Sequence, residues 1–165
     1  MGTYFHYVNF TKRQHFIIGA LGGGIKFSNI GRNLSARAFE LMLTKPGVTL
    51  QKLPPIVGAW VGDEVAVIGD DWDSEGEMIR KDFVDIGANV ILMLMESDGF
   101  EDLKTAATTD SRFFMQLAYL ATTGQSSAIE KEMESHCGAD FRRQYKQMCE
   151  ESGGFEPVNL VEFSP

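Results

Sequence analysis

The residues best spaced for chemistry run from Asp71 to Asp82, in the order Asp71-Trp72-Asp73-Ser74-Glu75-Gly76-Glu77-Met78-Ile79-Arg80-Lys81-Asp82. Set on a twelve-residue calcium loop, Asp71, Asp73 and Glu75 take positions one, three and five. Gly76 takes the sharp turn, Glu77 offers its carbonyl, and Asp82 stands at position twelve. A hard cation needs several oxygens converging on one point, and alternate side chains on a tight loop supply them. Asp71, Asp73, Glu75, Glu77 and Asp82 are thus the candidate metal ligands, with calcium as the cofactor. Three departures weigh against them: Glu rather than Asp or Asn at position five, Met at position eight, and the shorter Asp at position twelve. The preferred reading of the same stretch is a β-to-α turn whose carboxylates favour the positive end of the next helix.

A second candidate is Gly19-Ala20-Leu21-Gly22-Gly23-Gly24-Ile25-Lys26-Phe27-Ser28. Closely spaced glycines let backbone amides face a phosphate, but Ile25 displaces Lys26 from the position the phosphate-loop motif requires. Asp70, at the end of the hydrophobic run Val65 to Ile68, resembles the acidic metal-binding partner of such a loop. His136, Cys137 and Cys149 offer three zinc-type ligands without paired short spacing. His6 and His15 lie in two neighbouring aromatic runs and can approach one another across strands, each reading first as a packed or surface histidine. No serine or cysteine carries a nucleophile motif, and no catalytic residue is assigned.

These residues have to be positioned by recognisable elements. Residues 3–18 are aromatic and β-branched around a polar connection, which reads as a β-hairpin. Residues 56–60 and 64–68 flank Val61-Gly62-Asp63 and read as a second hairpin in the same sheet, with Trp60 buried. Leu34, Ala38, Leu41 and Met42 stripe a helix that ends near Thr44. Residues 77–84 read as helix; residues 88–96 fit either a helix or a buried strand. Asp110 caps a helix striped by Phe113, Leu117, Leu120 and Ala121 and ended by Gly124. Ser127 to Glu130 reads as a capping box for a helix closed by Gly138. Phe141, Tyr145, Met148 and Cys149 stripe a last helix up to Gly153-Gly154. Val158, Leu160 and Val161 alternate in a tail expected to dock as an extended segment. Strands followed by helices predict α+β: a small, mainly antiparallel sheet in the N-terminal half, covered on one face and packed with C-terminal helices. The expected organisation is one domain over residues 1–165, strand-rich over 1–70, helical over 75–152, with an extended tail over 155–165.

The first half, roughly residues 1–87, resembles a family of small proteins to which no activity is assigned. The likeness rests on Gly2-Thr3-Tyr4-Phe5 leading into Val8-Asn9-Phe10-Thr11-Lys12-Arg13-Gln14, on Ile25-Lys26-Phe27, on Gly58-Ala59-Trp60-Val61-Gly62-Asp63 with Val65 to Asp70, and on Phe83 to Ile86. Members of that family often carry proline where Phe10 stands and alanine where Val61 stands. The resemblance implies no activity, cofactor or catalytic residue.

Composition bounds what remains. The chain has 165 residues, 44% hydrophobic and 23% charged, with a net charge of −8, ordinary for a globular protein. The negative charge opposes phosphate backbones, so no nucleic-acid partner is expected. No apolar run reaches membrane-spanning length. His6 stands where a myristoylation motif needs Ser or Thr, and the amino terminus does not read as a secretory signal. Cys137 and Cys149 are too far apart along a helix to bridge, so free thiols are expected, one partly buried on the last helix, in a cytoplasmic or other reducing compartment. Together these features favour a non-enzymatic binding or assembly protein acting through protein contacts, with a protein partner or a second copy. One competing reading is a phosphate-ester or nucleotide enzyme using the glycine-rich loop and acidic turn, with Lys26 joined to Asp70 or Asp73 and a divalent metal; the other is a calcium-binding module.

Overall fold

A computed structural model of the chain describes residues 4–22, 28, 30–47, 53–69, 74–98 and 101–162. The aromatic amino-terminal runs form strands β1 (Phe5–Asn9) and β2 (Gln14–Ile17), paired antiparallel with Tyr7 opposite Phe16 and Val8 opposite His15. The connection is closed by Asn9, whose Oδ1 accepts the Lys12 backbone N–H at 2.8 Å, and by Arg13 in the left-handed region at φ 53°. Helix α1 (Leu34–Leu43) starts at Asn33, whose side chain accepts from the Ala36 N–H, and ends before Thr44.

Strand β3 (Val65–Gly69) pairs antiparallel with β1, placing Val67 opposite Tyr7. Helix α2 (Ser74–Asp82) leads into β4 (Val84–Asp85), a two-residue strand parallel to β2 that sets Asp85 beside His15. The sheet order is β3-β1-β2-β4, so the fold is α+β with a mixed sheet. Among the described residues five more helices follow: α3 (Gly87–Asp98), α4 (Glu101–Thr109), α5 (Ser111–Thr122), α6 (Ser127–Cys137) and α7 (Phe141–Ser152).

Both faces of the central strands are covered, not one. Tyr7 and Phe16 share a face with Asn9 and Gln14, and there Tyr7 stacks on Phe39 of α1 at 4.4 Å while Phe16 meets Trp60 at 5.7 Å. Val8, His6 and His15 point the opposite way and are also buried, His6 sharing a cleft with α3 and α5. With residues of both parities buried, the hairpin reads as a near-continuous apolar run.

The expected second hairpin does not form. Residues 56–63 instead make successive turns, with Gly58 and Gly62 at φ 80° and 85°. Their amides are spent on α1: Gly58 N donates to the Leu41 carbonyl and Trp60 N to that of Met42. Those bonds swing Trp60, fully buried, onto the aromatic face, so its predicted burial holds although its strand does not. Residues 88–96 are helical; α3 is apolar nearly all round because it is buried from Ala88 to Ile91 and again at Met93 and Leu94. Asp110 caps α5 through its carboxylate, as expected, whereas the cap of α6 is Ser126, one residue before the predicted box.

The tail docks in extended form. Gln116 accepts from the Val158 N–H and donates to the Val158 carbonyl, at 2.9 and 2.7 Å. Asn89 does the same to Val161, at 3.1 and 2.8 Å. Two buried side-chain amides thus stand in for a neighbouring strand. No helix among the described residues is long and apolar enough to cross a membrane.

Candidate functional site

Three strands bring the principal polar cluster together. Because successive side chains alternate across a sheet, His6 on β1, His15 on β2 and Asp85 on β4 fall on one face. His6 and His15 meet through their Nδ1 atoms at 3.1 Å, with ring centroids 5.0 Å apart. At that separation one Nδ1 donates and the other accepts, so the two rings cannot both be doubly protonated. Burial holds the His15 imidazole below its ordinary value against the opposing pull of Asp85. Burial pushes the Asp85 carboxyl up, while His15 and the Gly87 N–H, which donates to Oδ1 at 2.8 Å, favour its charged form. Both groups are driven toward neutrality, the usual response of ionisable groups taken out of water.

His6 and Asp85 open onto a cleft of about 370 Å³, within the size range of small-ligand pockets. Its other walls are the start of α3, with Ala88 and Ile91, the first turns of α5, with Arg112 and Phe113, and the tail, with Phe155, Glu156 and Val158. A larger groove of about 580 Å³ lies among α4 to α7 and includes Phe114, Met133, Met148, His136 and Cys137. Burial raises the Cys137 thiol above its ordinary value, which disfavours a reactive thiolate. His136 is engaged by Glu132, and Cys149 is exposed, so the half-buried thiol belongs to α6 and not to the last helix.

A third feature is the outer edge of β3. Phe10 N donates to the Glu64 carbonyl, and in an antiparallel ladder such pairs recur at every second residue. Ala66 and Ile68 therefore turn their backbone groups toward β1, and Val65, Val67 and Gly69 turn theirs outward. Among the described residues no strand pairs with that edge. The strand carries no charge and no proline, and Val67 is 38% exposed.

The calcium candidates are distributed as follows. Asp71 and Asp73 lie outside the described residues, as do Lys26 and Asp70 of the phosphate reading, and the side chain of Glu75 is not described. Glu75, Glu77 and Asp82 fall within helix α2. Glu77 is paired with Lys81 at 2.5 Å, and that hydrogen bond lowers its carboxyl below the ordinary value. Among the described residues no three His, Cys, Asp or Glu side chains are placed to hold a metal.

Residues 9–14 and residues 59–64 are wired to each other. Asn9 donates to Asp63 at 2.7 Å, Lys12 Nζ donates to the Ala59 carbonyl at 2.6 Å, Thr11 Oγ1 accepts the Glu64 N–H at 2.9 Å, and Trp60 Nε1 donates to Gln14 at 3.0 Å. Their polar residues are scaffold, joining hairpin to turns through bonds that range from buried at Trp60 to exposed at Glu64. No family model, curated protein or solved structure matches the chain.

Proposed function

We propose that the chain is a non-enzymatic binding or assembly domain that acts through protein contacts by accepting a strand on the outer edge of β3. The observation that carries this reading is the uncharged, partly exposed strand Val65–Gly69 with alternate backbone groups directed outward. Natural edges are ordinarily blunted by charge, proline or a bulge, and β3 has no charge or proline. Unpaired backbone groups supply affinity in strand addition, and the exposed Val67 side chain supplies a pocket-filling contact. A second copy of the chain is the occupant tested first.

The test is light scattering on purified protein with Val67→Pro. The Val67 N–H points outward, so proline at this edge position leaves the β1–β3 ladder intact. Wild-type protein is expected well above the 18.3 kDa of one chain and the variant at that mass. Val67→Lys, which keeps the N–H, is the second variant and is expected to weaken assembly as an edge charge does. A wild-type monomer that also captures no extended peptide through this edge overturns the reading.

A further inference from the structure

The cleft beside the two histidines holds opposite charges that do not meet. Arg112, in the first turn of α5, and Glu156, on the tail, both line it. Neither side chain has an ion-pair or hydrogen-bond partner among the described residues. Their spacing is set by the fold: Arg112 stands one helical turn before Gln116, and Gln116 holds the backbone of Val158, two residues past Glu156. The Asp85 carboxylate deeper in the cleft is already engaged by the Gly87 N–H and neighbours His15, so Glu156 is the acid left without a counter-charge. Ile91, Phe113 and Phe155 supply the apolar lining.

We propose that this cleft binds a small zwitterion, a free α-amino acid with an apolar side chain. Its carboxylate meets Arg112, its ammonium meets Glu156 with Asp85 behind, and its side chain covers Phe113, Ile91 and Phe155. A simple anion would face Glu156 uncompensated and a simple amine would face Arg112. A zwitterion answers both charges, and the guanidinium is shaped to hold a carboxylate through two parallel bonds. Burial inclines His15 and Asp85 toward neutral forms, so the floor of the cleft adds polarity with little excess charge. The titratable groups facing the ligand are therefore His6 and Asp85 from the sheet, with His15 behind them, Arg112 from α5 and Glu156 from the tail; α3 contributes none to the lining.

The experiment is a titration of the intact chain with L-phenylalanine, followed by backbone amide shifts. 3-Phenylpropanoate and 2-phenylethylamine, which lack one charge each, are run in parallel. Saturable shifts at Arg112, Gln116 and Glu156 are expected with phenylalanine. Each fragment should bind at least tenfold more weakly, about 1.4 kcal/mol. Arg112→Gln and Glu156→Gln, both at exposed positions, should cause the same tenfold loss with the fold unchanged. Val67→Pro should bind normally, which separates this site from the strand edge. The proposal is overturned by the absence of saturable shifts, or by either fragment binding as tightly as phenylalanine.

Discussion

At the scale of residues, His15 is the group whose environment has the clearest consequence. It is 5% exposed, shares a short nitrogen contact with His6 and has its imidazole lowered from 6.5, chiefly by burial. The sign follows from proton counting. Below about 6.5 the unfolded chain takes a proton that the folded chain refuses, so acidification favours unfolding. Asp85 works in the other direction in its own window: its raised carboxyl binds a proton more tightly when folded, so stability from that group falls as pH rises above 3.8. Urea midpoints of the wild-type chain should therefore decline as pH drops from 7.5 to below 6.5, with the Asp85 contribution opposing the decline further down. His15→Gln should flatten the upper part of that profile. A wild-type midpoint independent of pH across that span would contradict the burial argument. Of this cluster, the histidine pairing was legible in the sequence, because two aromatic runs around a short polar loop set β1 against β2. Asp85 was not, since a two-residue parallel strand leaves no periodicity and depends on where the α2 crossover returns. Arg112 and Glu156 come to line one cleft only through the docking of the tail, and nothing local marks that.

At the scale of elements, the helices with a clear apolar stripe are readable: α1 up to Thr44, α5 from its Asp110 cap, and α7 up to its glycines. Helix α4 falls in the region expected to be helical but has no stripe to mark its bounds, because its buried contribution is the single side chain Leu103 with Ala106 and Ala107 partly covered. The turns over residues 56–63 were misread as a hairpin because their hydrogen-bond partners are the last carbonyls of α1, which no local pattern reveals. The tail is fastened at Val158 and Val161, and that fastening is specific enough to test. Gln116 supplies both bonds to Val158 and is 7% exposed. Gln116→Ala would leave that N–H and carbonyl without their partner, at a cost of about 2 kcal/mol. Amide exchange at Val158 and Leu160 should accelerate, and limited proteolysis should cut between Gly153 and Val161 before the sheet. Unchanged exchange there would mean that apolar packing of Val158, Leu160 and Val161 alone holds the segment.

At the scale of the whole molecule, the proposed contact joins two chains that each carry a net charge of −8. Strand pairing through Val65, Val67 and Gly69 is apolar and backbone-mediated, so its attraction depends little on salt. The opposing term is the mutual repulsion of the two acidic bodies, which acts over the Debye length of about 10 Å at 0.1 M and about 3 Å at 1 M. Raising ionic strength removes repulsion and leaves the ladder, so self-association should tighten with salt. The slope also identifies the occupant. A basic polypeptide seated on the same edge would be drawn in by the acidic surface, and its affinity would weaken as salt rises. Sedimentation equilibrium between 0.05 and 0.5 M sodium chloride, roughly a threefold change in screening length, is the measurement. A dimer fraction that grows with salt in the wild-type chain, and stays at the monomer baseline in Val67→Pro, is the result expected for two copies joined at β3. Self-association that falls with salt would place the contact on charged side chains, such as the Glu130, Glu134 and Arg142 cluster of α6 and α7, instead of on the strand edge.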